Sequence, residues 1–114
     1  MDALKKYTDA INLKVETKNN AVYYSNRAYI NLKLENYGSA IEDANMAIKI
    51  DPNFVKAYHR RALAYLKLNK YTEGLKDLQF LKQKFPEDKT LDTQIEKAKN
   101  DRKRFYFYKA YSSK

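Results

Sequence analysis

The sequence predicts an all-α fold: a superhelix of antiparallel helix pairs, ended by a C-terminal capping helix, with its first pair incomplete. Three observations carry this. Residues 21–54 and 55–86 write one pattern twice at an offset of 34, with Tyr24/Tyr58, Arg27/Arg61, Ala28/Ala62, Leu32/Leu66, Lys33/Lys67, Leu34/Leu68, Tyr37/Tyr71, Asp43/Asp77 and Pro52/Pro86 identical. A fixed period of this length marks stacked helix pairs, because one pair cannot bury its apolar face without a like neighbour. Only two Gly and two Pro interrupt the 114 residues, and the prolines fall at the ends of the two units. Proline is excluded from helix interiors and so punctuates the repeats.

Taken in order, residues 2–16 read as a helix with Asp2 as its N-cap and Ala3, Leu4, Tyr7, Ala10, Ile11 and Leu13 as an apolar stripe. Ala3, Tyr7 and Ala10 stand where Ala40, Ala44 and Ala47 stand in the next unit, so residues 1–17 match the second helix of a pair. Lys18, Asn19 and Asn20 read as a polar turn. The first unit therefore lacks its first helix. Its stripe has one side uncovered, and exposed apolar surface of that kind invites association. Either the chain begins inside a repeat or a second chain supplies the cover.

The second unit predicts helices over about 20–34 and 37–50, joined at Glu35 and Asn36. The third predicts helices over about 54–68 and 71–84, joined at Asn69 and Lys70. After Pro86 and Glu87 a polar helix over about 88–110 occupies most of the segment 87–114, with Leu91, Ile95 and Ala98 as a thin stripe, as suits a solvating cap. Its last stretch crowds Phe105, Tyr106, Phe107, Tyr108 and Tyr111 beside Lys103, Arg104 and Lys109. Two readings stand: half of these rings pack on the third unit, or they form a docking surface for another domain or another copy of the chain.

Each unit opens its first helix with an aromatic (Tyr24, Tyr58) and follows it with a close-packing alanine (Ala28, Ala62). The second helix begins with an aromatic (Tyr37, Tyr71), continues with a small residue (Ala40, Gly74), and the unit closes on proline. Small residues at a crossing let helix axes approach. This order resembles the tetratricopeptide repeat over most of the chain.

Composition excludes several classes. With no Cys there are no disulfides or thiolate metal sites. No apolar run approaches bilayer length and the N-terminus lacks a signal-peptide core, so a soluble protein of the cytoplasm, with the nucleus as a second compartment, is the expectation. The formal charge of +9, from 23 basic and 14 acidic residues, favours an acidic partner. Nucleic-acid binding rests on that charge alone, because the aromatics sit in no RNA-stacking motif. No Gly-rich phosphate loop or nucleophile–base pair appears, and His59, the sole histidine, reads as a groove-wall residue. The chain reads as a binding module without cofactor or metal, not an enzyme.

In a stacked array the first helices of the pairs line the concave side. Asn26 and Lys33 lie seven apart on one such helix, and Lys56 and Arg60 lie four apart on the next, so each pair shares a face. Singly, each has a plain structural reading: a backbone-satisfying amide, a lysine favoured by a helix C-terminus, solvated cations. Together, in the stretches YYSNRAYINLK (23–33) and VKAYHRRALAYLK (55–67), they resemble the carboxylate-clamp repeats of co-chaperones. That resemblance implies binding of the C-terminal Glu-Glu-Val-Asp tail of Hsp90 and Hsp70 chaperones. Asn26 would bond the terminal carboxylate end, Lys56 and Arg60 would take tail carboxylates, and Lys33 would extend the basic wall. Arg61, whose counterpart Arg27 faces the neighbouring helix, reads as structural.

The runs LENYGSAIEDANMAIKID (34–51) and VKAYHRRALAYLKLNKYTEGLKDL (55–78) resemble more narrowly the N-terminal domain of the serine/threonine protein phosphatase type five family. That likeness implies a regulatory, autoinhibitory domain preceding a metal-dependent phosphatase domain, which the segment after Asp101 would meet. The metal-binding motifs GDxHG, GDxxD and GNHE do not occur in this chain. The competing expectation is a repeat scaffold that self-associates without recognising chaperone tails.

Overall fold

A computed structural model describes residues 18–112 as five α-helices: α1 (Lys18–Lys33), α2 (Tyr37–Ile50), α3 (Val55–Lys67), α4 (Tyr71–Lys84) and α5 (Lys89–Ser112). The helix expected over 2–16, with its stripe, lies outside the described residues. Elsewhere the helix ends fall within two residues of their sequence expectations. One reading is corrected: Lys18–Asn20 are not a turn but the first turn of α1, with Asn20 buried at its inner edge.

Each helix packs against its successor, and α1 also touches α3 across the top of α2. The seam between helices is built from alanine: Ala28, Ala40, Ala44, Ala47, Ala57, Ala62 and Ala64 have no exposed surface. Such short side chains let backbones approach closely. Gly74 continues the seam, since a Cβ there would stand 2.7 Å from Leu66 Cδ2 and push that side chain aside. The larger apolar residues gather at the C-terminal end. There Leu75, Leu78 and Leu81 of α4 meet Leu91, Ile95 and Ala98 of α5, so the thin stripe of the capping helix is the face that closes the core.

Between the two helices of each repeat the chain turns in the same way twice. Glu35 and Asn69, 34 residues apart, adopt φ of 62° and 60°. Asn36 N donates to Asn31 O at 2.8 Å and Lys70 N to Tyr65 O at 2.8 Å, while Glu35 and Asn69 donate to Leu32 O and Leu66 O. These are Schellman caps, which satisfy the last carbonyls of a helix and need one left-handed residue. Asparagine tolerates that conformation; a glutamate pays sterically for its Cβ.

Polar contacts repeat as well. Arg27 donates from Nε and Nη2 to the two carboxylate oxygens of Asp43 at 2.9 and 2.6 Å, and Arg61 does the same to Asp77 at 2.9 and 2.7 Å. Both aspartates are buried. Hydrogen bonding by these carboxylates raises the pKa of each guanidinium, against the opposing effect of burial. Asn31 adds a bond to Asp43 at 2.9 Å, and Arg61 reaches back to Asn45 of the preceding repeat at 2.9 Å. Tyr24 and Tyr58 lie under the Arg27 and Arg61 guanidinium groups at 5.5 and 5.4 Å. The structural reading of Arg61 is what the geometry shows.

Of the five rings crowding the end of α5, Phe105 packs on Tyr71 at 5.6 Å, whereas Tyr106, Phe107, Tyr108 and Tyr111 are 52–70% exposed. The expectation that half of them pack on the third repeat is therefore too generous. The helix outruns the repeat it caps: beyond Phe105, which still meets the buried Tyr71, its rings stand exposed.

Three variants test these contacts through stability. Asp77→Ala leaves Arg61 without its carboxylate and should destabilise the fold by about 3 kcal/mol. The paired change Arg61→Met with Asp77→Leu should cost clearly less, in urea or thermal unfolding, because no lone buried charge remains. Glu35→Gly should stabilise by about 0.5–1 kcal/mol in the same measurement, since glycine adopts the left-handed cap without the Cβ clash.

Candidate functional site

The contact between α1 and α3 opens a groove of about 720 Å³ that α4 and α5 close from the far side. Because α1 and α3 are the first helices of their repeats, equivalent faces of each point into it. Their contributions differ from those of the cap. From α1 and α3 come Lys33, Lys56, Arg60 and Lys67 with His59 between them, and from the α4–α5 corner come Leu81, Phe85, Leu91 and Gln94. Leu32, Val55 and Leu63 form the apolar floor. One long wall is cationic and the opposite one mostly apolar.

Lys33, Lys56 and Lys67 are exposed, so their charges are available at the surface. Arg60 is half-buried and held: Nη1 donates to the Ser25 carbonyl at 2.5 Å and to the Ser25 hydroxyl at 2.8 Å. Ser25 is itself fully buried, which ties the α3 arginine rigidly to α1. Tyr29 lies between two of the cations, with Lys33 Nζ 5.3 Å and Arg60 Cζ 5.0 Å from its ring centroid. A ring face so placed attracts both charges and limits where they go.

Asp88 sits at the rim, the one carboxylate lining the groove among the described residues. It accepts from the Thr90 amide at 2.9 Å and the Thr90 hydroxyl, in front of α5. The Thr90 hydroxyl bond is the main cause holding its pKa below the ordinary 3.8. It therefore stays ionised and sets a negative charge at the rim, across the groove from the lysines.

Of the four residues singled out from sequence, the structure brings Lys33, Lys56 and Arg60 onto one groove. Asn26 stands apart from the lining, half-buried, with Oδ1 3.5 Å from Arg60 Nη1. His59 lies on the groove wall, as read. Lys67 joins the wall as the repeat counterpart of Lys33. Sequence reasoning missed Tyr29, Phe85 and Gln94. Tyr29 was within reach, being four residues before Lys33 and so on its face. Phe85 and Gln94 stand 34 residues after Asp51 and Arg60, but neither matches its counterpart in residue type, and the capping helix was read only by its apolar stripe.

A stack of helix pairs presenting a preformed cation-walled groove defines a helical-repeat binding module. Two descriptions of the tetratricopeptide repeat match, over residues 21–54 and 44–76. The TPR2B domain of yeast Sti1, solved in a complex with pHsp70, superposes with a TM-score of 0.76 at 36% identity, over 87% of this chain and 82% of that one. The second such domain of human RPAP3, in complex with the HSP70 peptide SGPTIEEVD, gives 0.75 at 30%, over 84% and 78%. This chain belongs to the tetratricopeptide repeat family, whose fold is a protein-interaction module.

Among curated relatives, human serine/threonine-protein phosphatase 5 is 39% identical over 88 residues, covering 77% of this chain and 17% of the phosphatase. A tetratricopeptide repeat protein 4 homolog of Dictyostelium discoideum is equally 39% identical over 98 residues, 85% of this chain and 25% of that protein. The chain thus spans a quarter or less of these relatives.

Proposed function

We propose that this chain binds the acidic C-terminal tails of Hsp90 and Hsp70 chaperones, those ending Glu-Glu-Val-Asp, through the groove between α1 and α3. The observation that carries the reading is the convergence of Lys33, Lys56, Arg60 and Lys67 on one wall of a groove sized for a short peptide. Likeness to two domains solved with Hsp70 partners supports it. Lys56 and Arg60 take tail carboxylates, Lys33 extends the wall, and Asn26 acts at the edge beside Arg60, toward the terminal carboxylate. Hydrogen bonds to charged groups contribute about 1.5–3 kcal/mol each, so three or four can reach micromolar affinity after the costs of association.

The larger role we propose is a regulatory and targeting domain of a cytoplasmic and nuclear serine/threonine phosphatase, on the likeness to phosphatase 5. The equal identity to the repeat protein 4 homolog makes the residues after Lys114 in the parent gene the deciding observation. Phosphatase metal-binding motifs there are expected; a parent protein lacking them overturns this role and leaves tail binding standing.

A second reading, self-association as a scaffold, draws on the exposed Tyr106, Phe107, Tyr108 and Tyr111. A sedimentation coefficient that rises with concentration supports that reading, and a constant monomer value removes it.

Calorimetric titration with a peptide ending Met-Glu-Glu-Val-Asp should show micromolar binding that weakens as salt rises, because exposed lysines carry much of it. Lys56→Glu should reduce affinity at least tenfold with helicity unchanged, since an attractive charge becomes a repulsive one. Undiminished binding by Lys56→Glu would place the peptide elsewhere.

A further inference from the structure

The end of α5 runs past the repeat stack and carries a surface that the groove does not use. Phe107, Tyr108 and Tyr111 are 63–70% exposed. At about 100° per residue they span a face about 100° wide, on the side of α5 away from Leu91, Ile95 and Ala98, which hold the helix to the core. Phe107 stacks on Tyr111 at 6.1 Å and meets Tyr108 edge-on at 5.8 Å, so the three make one apolar cluster rather than scattered rings. A contiguous exposed patch of this kind marks a place where something docks.

Charge narrows what docks. From Arg102 to Lys114 the sequence holds five basic residues and no acidic one, which is five of the chain's nine net positive charges. Lys103 and Arg104 are exposed and lie one turn before the rings on nearly the same side, since Lys103 precedes Phe107 by four residues and Arg104 precedes Tyr108 by four. The rings therefore stand about 5–10 Å beyond Arg104 along the axis. That layering matches a bilayer surface, where anionic headgroups lie outermost and amphipathic helices seat apolar groups about 5–10 Å below, at the boundary with the acyl chains. Tyrosine suits that boundary, with an apolar ring and a polar hydroxyl. A second copy would set its own Lys103 and Arg104 against these, bringing like charges together. A nucleic-acid strand stacks its bases on open ring faces, whereas Phe107 and Tyr111 turn faces to one another. We propose that the end of α5 docks on an anionic lipid surface, with Phe107, Tyr108 and Tyr111 seated below the headgroups and Lys103 and Arg104 paired with their negative charges.

The scaffold reading uses these same rings; here they take a lipid surface instead, and nothing in the proposal depends on tail binding. Gln94, the last residue of α5 to line the groove, lies about 20 Å before Phe107 along the helix. The groove therefore stays open while the rings are seated.

The test is co-sedimentation of the full chain with vesicles of phosphatidylcholine, alone or with phosphatidylserine added, at low and high salt. Binding is expected to the phosphatidylserine vesicles, weakening as salt rises, and at least about tenfold weaker to phosphatidylcholine alone. Lys103→Glu with Arg104→Glu should reduce affinity for the phosphatidylserine vesicles by about tenfold or more, and so should Phe107→Ser with Tyr111→Ser. No binding to phosphatidylserine vesicles, equal binding to both kinds, or undiminished binding by either double variant overturns the proposal. The chain has 11 Tyr and no Trp, so tyrosine fluorescence supplies a readout that needs no substitution. Its quenching by brominated phosphatidylcholine within the phosphatidylserine vesicles supports seated rings, and an unquenched signal overturns them even where a variant folds poorly. Tighter, ring-dependent binding to a single-stranded oligonucleotide than to the vesicles overturns the proposal in favour of nucleic acid. A sedimentation coefficient that rises with concentration without lipid, and stays constant in Phe107→Ser with Tyr111→Ser, overturns it in favour of a second copy.

Discussion

A buried carboxylate gripped by both arms of a guanidinium sets the geometry of each repeat. Arg27 with Asp43, and Arg61 with Asp77, join the two helices of a pair through side chains 16 residues apart, in the same bidentate arrangement both times. The flat fork of arginine matches the carboxylate in only one orientation, so the pair constrains rotation as well as distance. Net stabilisation from such a pair is modest, because two charges are desolvated to make it. Its larger effect is on alternatives: any slip of one helix along the other leaves an aspartate buried and alone. Asn31 gives Asp43 a further donor within its own pair, and Asn45 accepts from Arg61 and so links the second pair to the first.

That constraint determines the groove. Arg60 and Arg61 are neighbours in sequence, and about 100° separates neighbours around a helix. With Arg61 committed inward to Asp77, Arg60 can only turn toward α1, where Ser25 receives it. The fully buried alanines bring α1 and α3 close enough for this contact to close. Cations that would repel one another in water are thus held along one wall by backbone carbonyl, hydroxyl and ring face. The repulsion that remains is relieved by a negative ligand, so preorganisation and charge preference have the same origin.

The fold was legible because its information is repeated. Any residue with a counterpart 34 positions away declared its role twice: Ala28 and Ala62 as seam, Arg27 and Arg61 as inward-facing, Pro52 and Pro86 as stops. The Arg–Asp partnership itself was present as a fixed offset of 16 in both units, although identity alone did not say that the two residues meet. Asn26 shows where periodicity misleads. Seven residues place it on the face of Lys33, yet about 10 Å nearer the start of α1, and the groove opens over the later turns, at Tyr29, Leu32 and Lys33. Angular position was readable; height along the axis needed the neighbouring helices. The turn read into Lys18–Asn20 failed because polar residues at a helix start look like the loop before it, and Asn20 is nonetheless buried.

The unrepeated end of the chain carries what the repeats cannot. Two helix pairs of similar sequence supply similar faces, and a groove made from these alone would be uniformly basic and apolar from end to end. The capping helix breaks that symmetry. It brings a carboxylate at Asp88, whose counterpart 34 residues earlier, Phe54, does not line the groove, and it places the uncharged Gln94 where Arg60 stands one repeat before. Charge on α1 and α3 can select an acidic segment but is forgiving of where along the segment it binds, since long lysine side chains follow their partners. The capping helix is held by Leu91, Ile95 and Ala98 against the leucines of α4, so the same apolar stripe that closes the core also sets where the far wall of the groove stands.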